Sequence, residues 1–124
     1  MNYPSLTLAF IGDSVLELII RMHYVNKGIV KVNKLQTLTS SLASAKAHKE
    51  IMDYLFENEI LTEDEIRVYK RGRNAKVNQR RKNFNSENYH ASTGFEALIG
   101  FLYLNEEHDR IEEIVKIIIE RFDK

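Results

Sequence analysis

Apolar residues recur at helical spacing along most of the chain, and this pattern predicts a protein built from helices. The first helix is predicted to begin at Ser5 as its N-cap and to end near Asn26, where Gly28 allows a left-handed turn. No window shows the sustained alternation of apolar and polar residues that a strand requires. The predicted fold class is therefore all-α.

The same spacing predicts five further helices. They cover residues 33–42, 44–56, a stretch from 62 onward, a stretch from Ser92 or Thr93 through Tyr103, and residues 109–122. The stretch Thr62–Glu65 has the form of a capping box, and its acids suit the positive end of a helix. Residues 78–90 are rich in Asn, Gln and Ser and predict a polar loop.

Composition narrows the class of protein. A chain of 124 residues with one Pro and five Gly is expected to form one domain over residues 1–124. It contains no Cys, which excludes disulfides and thiolate zinc sites. No apolar stretch approaches the roughly 20 residues that a bilayer requires, and the first residues lack the basic region of a signal peptide. We therefore expect a cytoplasmic protein that does not associate with membranes.

Charge is distributed unevenly along the chain. Lys and Arg number 18 and Asp and Glu also number 18, a balance that taken alone argues against a nucleic-acid partner. Residues 67–82, however, contain eight basic residues and no acid. The rest of the chain contains ten basic and 18 acidic residues, which gives it a net charge of −8. Such a segment is often a solvated helix face, but its single sign favours a polyphosphate partner. The bordering aromatics are sparse, which favours recognition of RNA backbone and shape over base readout.

Two acids stand alone in apolar company. Asp13 interrupts residues 8–16 and Glu96 interrupts residues 95–102, so each is expected in or beside the core. A glycine near each acid, Gly12 and Gly100, favours a close approach of two helices that brings Asp13 and Glu96 together. A cluster of carboxylates suits Mg²⁺.

Glu17 follows Asp13 by one helical turn and is a third candidate ligand. The alternative is structural: Asp13 or Glu17 pairs with Arg21 or Lys46. The four histidines show no metal-ligand spacing and are interpreted as surface or packing residues.

These two motifs carry a family resemblance. Residues 8–18, LAFIGDSVLEL, resemble the signature helix of the ribonuclease III catalytic domain, and residues 95–104, FEALIGFLYL, resemble its second metal-binding helix. Between them lies KRGRNAK, residues 70–76. Chain length and the absence of a double-stranded-RNA-binding domain make the chain most similar to the Mini-ribonuclease III group.

The resemblance implies a homodimeric, Mg²⁺-dependent endoribonuclease that cleaves double-stranded RNA, with one site in each subunit. It implies that Asp13 and Glu96 are the catalytic, metal-binding residues, and it aligns Glu50 loosely with a further active-site glutamate. The implied substrate is a stem of precursor 23S ribosomal RNA, and a ribosomal protein or assembling ribosomal particle is a further candidate partner. The expected RNA-binding residues are Lys70, Arg71, Arg73, Asn74, Lys76, Arg80, Arg81 and Lys82.

Two positions depart from the larger enzymes of the family. Ala9 and Thr93 stand where those enzymes carry acids, which leaves two of the usual four carboxylates. One alternative is therefore a non-catalytic RNA- or ribosome-binding module with the same fold. A more remote one is a small helical interaction protein whose acids form internal salt bridges.

Overall fold

The computed structural model describes residues 2–75 and 86–123. In these ranges the chain forms helices and no strand, which confirms the predicted all-α class. The helices are α1 (Ser5–Asn26), α2 (Val32–Ala43), α3 (Ala45–Glu57), α4 (Glu63–Arg73), α5 (Ser86–Leu104) and α6 (His108–Phe122). None of them is long and apolar enough to cross a bilayer, as far as the described residues go.

Helix α5 is the centre of the bundle. It contacts α1, α3, α4 and α6, and its buried residues point in every direction around its axis. Phe95, Ala97, Leu98 and Ile99 are all fully buried. Because α5 is covered on several sides, its sequence lacks the polar stripe of a surface helix. Helix α2 packs instead on α1 and α3.

The predicted capping signals are confirmed at the end of α1 and at the start of α4. Helix α1 ends before Gly28, whose φ is +94°. The Ser44 side chain caps α3, and the predicted capping box forms with both hydrogen bonds between Thr62 and Glu65. The predicted Ser5 cap is wrong: Ser5 is the first residue of α1, and Pro4 holds the N-cap position without a side-chain cap.

The start of α5 differs from the prediction. The helix begins at Ser86, so residues 86–90 are helical and not part of a loop. Ser92 and Thr93 lie inside the helix, where the Thr93 hydroxyl donates to the Tyr89 carbonyl, and do not cap it. Packing of Ala91 and the residues that follow it outweighs the polar composition of this first turn. Residues 78–85 of the predicted loop lie outside the described residues.

Helix α6 completes the core. Its apolar residues Ile111, Ile114, Val115 and Ile118 are buried within the same chain. They face the core residues of the other helices. These side chains are therefore core, and none of them is available as an interface.

Candidate active site

Helices α1 and α5 cross at two glycines. A Cβ on Gly12 would lie 1.7 Å from the carbonyl oxygen of Glu96. A Cβ on Gly100 would lie 1.9 Å from the carbonyl oxygen of Leu8. Both distances are far inside van der Waals contact, so only glycine fits at either position. The close approach predicted from Gly12 and Gly100 is confirmed.

The crossing brings Asp13 and Glu96 together. Their side chains share a hydrogen bond, and burial, this bond and the Asp13 charge raise the pKa of Glu96 to about 8. Glu96 is half-buried, whereas Asp13 is exposed at the rim because Gly12, its neighbour, faces α5. Asp13 thus lies beside the core and not within it.

The carboxylate pair has the donor chemistry of a magnesium site. Two carboxylates at hydrogen-bonding distance repel each other unless a proton or a cation lies between them. Mg²⁺ is commonly bound by one or two carboxylates while it keeps several waters. In residues 2–75 and 86–123, no group of three or more His, Cys, Asp or Glu side chains is arranged to hold a metal ion. The donor set fits a cation that relies on waters for its remaining ligands.

Glu17 and Glu50 make other contacts. Glu17 accepts a hydrogen bond of 2.6 Å from Arg21, one turn along α1, so it has the alternative partner, but in an exposed pair and not a buried one. Glu50 is exposed and lines a groove with Ser41 and Arg121. The structure gives neither residue a contact with the Asp13–Glu96 pair.

The two departures from the larger enzymes have structural roles here. Ala9 is buried in a small cluster with Leu8, Val68 and Ala97. Thr93 is also buried, and its hydroxyl bonds to its own helix backbone. Neither position supplies a carboxylate, because Ala9 has no polar atom and Thr93 carries only a hydroxyl.

The described cations of the basic segment lie at the end of α4. Lys70, Arg71 and Asn74 are exposed, and the Arg73 guanidinium lies 5.7 Å from the centre of the Tyr69 ring. Arg67 pairs with Asp64 one turn earlier and is thereby partly neutralised. Lys76, Arg80, Arg81 and Lys82 lie outside the described residues.

One residue near the pair was not identified from the sequence as part of a site. His48 on α3 is buried, and its Nδ1 lies 2.7 Å from the Ser92 hydroxyl on α5. Burial lowers the pKa of His48 to about 4, against an opposing effect of the Asp13 charge. The sequence reading as a packing residue is correct for its burial, but no sequence signal indicated that His48 lies near Asp13.

Comparison with known proteins identifies the family. The Ribonuclease III domain profile matches residues 6–107 of the chain. The chain belongs to the ribonuclease III family. Members of this family are endoribonucleases, and the two helices that cross at Gly12 and Gly100 lie within the matched range.

Relatives in several bacteria are similar over most of the chain. Mini-ribonuclease 3 of Streptococcus pneumoniae is 39% identical over 118 residues, which cover 95% of this chain and 92% of the relative. Mini-ribonuclease 3 of Staphylococcus aureus is 41% identical, with 92% and 85% covered. The crystal structure of a Fusobacterium nucleatum protein has a TM-score of 0.84 at 29% identity, covering 96% of this chain and 95% of that one. The family match and the similarity to these relatives thus each cover most of the chain.

Proposed function

We propose that the chain is a Mg²⁺-dependent endoribonuclease that cleaves double-stranded RNA. The observation that carries the proposal is the meeting of Asp13 and Glu96 at the glycine crossing of α1 and α5. These are the two carboxylates that the resemblance to the ribonuclease III family aligns with its metal-binding acids. The family membership supports the reaction, and the geometry supports these two residues as its site.

Asp13 and Glu96 are the residues that would hold the metal. Asp13 is exposed and offers its carboxylate to solvent and substrate, while the half-buried Glu96 forms the inner wall. When bound, Mg²⁺ supplies an acidified water and positive charge beside the scissile phosphate. The rigid helix crossing holds the two carboxylates in a fixed relative position, so little reorganisation is needed when the cation and the RNA bind.

The exposed cations at the end of α4 are proposed to bind the RNA backbone. Lys70 and Arg71 extend from the last turns of the helix, and Asn74 is the C-cap residue. Phosphate contacts of this kind position a nucleic acid without reading its sequence. Arg73, Lys76, Arg80, Arg81 and Lys82 are proposed to extend this binding surface.

The proposed substrate is a stem of precursor 23S ribosomal RNA. The proposal rests on the similarity to the Mini-ribonuclease III group. An assembling ribosomal particle, or a ribosomal protein within it, is a proposed partner on the same ground. Cleavage mapping on such a stem tests the substrate separately from the reaction, because an unrelated duplex of equal length serves as the control.

A homodimer is proposed because α1 leaves apolar side chains uncovered next to Asp13. Phe10 is 76% exposed and Leu18 is 62% exposed. Leu18 also lines a groove of about 260 Å³ with Tyr103 and His108. A second copy that covers this surface would pair two sites, one for each strand of the duplex. Sedimentation should show a dimer for the wild type and a monomer for Phe10→Asp, and a monomeric wild type would overturn the proposal.

The reaction is tested by Asp13→Asn. The purified wild type should cleave a structured RNA when Mg²⁺ is added, and Asp13→Asn should bind the same RNA without cleaving it. Asp109→Asn, at an exposed position of α6, is the matched control and should cleave normally. If the wild type binds RNA without cleaving any duplex, the non-catalytic RNA-binding module replaces this proposal.

A further inference from the structure

His48 contacts helix α5 at two residues. Its side chain comes from α3, and the residue is only 1% exposed. Its Nδ1 is 2.7 Å from the Ser92 hydroxyl, and its ring packs edge-on against Phe95 with the ring centres 5.0 Å apart. These contacts with Ser92 and Phe95, three residues apart on α5, fix the orientation of the imidazole.

The second ring nitrogen of His48 has a different environment. Nε2 is buried and has no hydrogen-bond partner among the described residues. A buried ring nitrogen without a hydrogen-bond partner destabilises the folded protein. Buried polar atoms in native proteins are nearly always bonded to protein or to an internal water. We therefore expect Nε2 of His48 to have a hydrogen-bond partner that is not a side chain of the described residues.

The contacts of this imidazole lie within one helical turn of Glu96 on α5. Ser92 precedes Glu96 by one turn of α5, which places their Cβ atoms about 5–6 Å apart. Phe95 is the residue immediately before Glu96. The charge of Asp13 also acts on the imidazole of His48. Both contacts of the ring are thus made to the turn of α5 that carries Glu96.

We propose that His48 is a positioning residue for the Asp13–Glu96 site. It holds the turn of α5 that carries Glu96, and its Nε2 binds an internal water that hydrogen-bonds to the carboxylate pair. The inference rests on the proposed function, since it concerns the same metal site. Removing a polar group that hydrogen-bonds to a metal ligand typically lowers metal affinity or activity by about 10–100-fold.

Two substitutions separate this role from packing. His48→Leu replaces the imidazole with an apolar side chain of similar volume and thereby removes both nitrogens. Because the volume is preserved, the protein should stay folded. The Mg²⁺ concentration for half-maximal cleavage should rise by about 10-fold or more. The rise in unfolding temperature that Mg²⁺ causes without RNA should shrink in parallel, because it reports binding to the folded state. His48→Gln restores polar atoms and should recover both properties.

Thr39→Val is the matched control. The Thr39 hydroxyl is also buried without a partner among the described residues, but it lies on α2, which carries none of the proposed ligands. This variant should show wild-type magnesium dependence. The proposal is overturned if His48→Leu has the magnesium dependence of the wild type, or if His48→Gln is as impaired as His48→Leu. In either case the wild type still cleaves and Asp13→Asn still does not, so the proposed function survives.

Discussion

Arg110 on α6 donates to both carboxylate oxygens of Glu65 on α4, each at 2.8 Å. The Glu65 side chain is only 6% exposed. The same guanidinium donates to the Ile60 carbonyl at 2.8 Å. One arginine thus joins the start of α4, the turn before it and the first turns of α6.

Removing this arginine should destabilise the fold strongly. Arg110→Met leaves the Glu65 charge buried without its partner, and breaking a buried pair in this way costs about 3–5 kcal/mol. Urea unfolding measures the loss. Glu113→Gln is the control, because Glu113 also accepts from Arg110 but is 62% exposed, so its loss should cost only about 0–1 kcal/mol. Equal effects of the two substitutions would contradict this account.

The same pair predicts how stability depends on pH. Burial by itself would raise the pKa of Glu65, but hydrogen bonds from Arg110 and from the Thr62 backbone outweigh it and lower the pKa below its ordinary value of 4.5. Because the pKa of Glu65 is lower in the folded protein than in the unfolded chain, its carboxylate stabilises the fold at pH values above the unfolded-state pKa. This stability is lost as the pH falls through the folded-state pKa. Urea unfolding from pH 7 to pH 3 should show a steeper loss for the wild type than for the double variant Glu65→Gln with Arg110→Met. Parallel curves would rule out this assignment.

The helix crossing should not tolerate a methyl group. Gly12→Ala places its Cβ on the Glu96 carbonyl, and forcing α1 and α5 apart should cost about 1–3 kcal/mol or more. It should also abolish cleavage at temperatures where the variant remains folded, because Asp13 and Glu96 separate. Gly28→Ala is the control: its φ of +94° makes alanine cost about 1–2 kcal/mol, but nothing lies within 4 Å and cleavage should persist. Normal cleavage by folded Gly12→Ala would refute the importance of the crossing.

The basic end of α4 should determine the salt dependence of RNA binding. Lys70→Ala and Arg71→Ala should each reduce the slope of log affinity against log salt by about 1, with similar losses for unrelated duplexes. Lys116→Ala, at an exposed position on α6, should leave the slope unchanged. Binding titrations over a range of salt concentrations make the comparison. A change confined to one RNA sequence would indicate base recognition instead of phosphate contacts.

Local signals predicted the end of α1 and the start of α4 correctly. Thr62 and Glu65 form the expected capping box, and Gly28 ends α1, because each depends only on near neighbours. Gly12 and Gly100 favoured a close approach of their helices, and the structure has this approach, with Asp13 and Glu96 together at the crossing.

Long-range contacts were beyond the sequence patterns. Glu65 was identified as a capping residue, but nothing nearby in the chain indicated that Arg110 holds the same carboxylate. The start of α5 at Ser86 was missed because its polar first turn depends on packing by later residues. His48 has its hydrogen-bond partner on another helix, and a single histidine among apolar residues carries no spacing signal.

The crossing of α1 and α5 also has a consequence for the newly made protein. Asp13 is synthesised early and Glu96 late, so the pair does not exist until most of the chain has left the ribosome. Contacts between distant parts of a chain form only after the intervening loop has closed. A nascent or partly folded chain therefore lacks the carboxylate pair on which the proposed metal site depends.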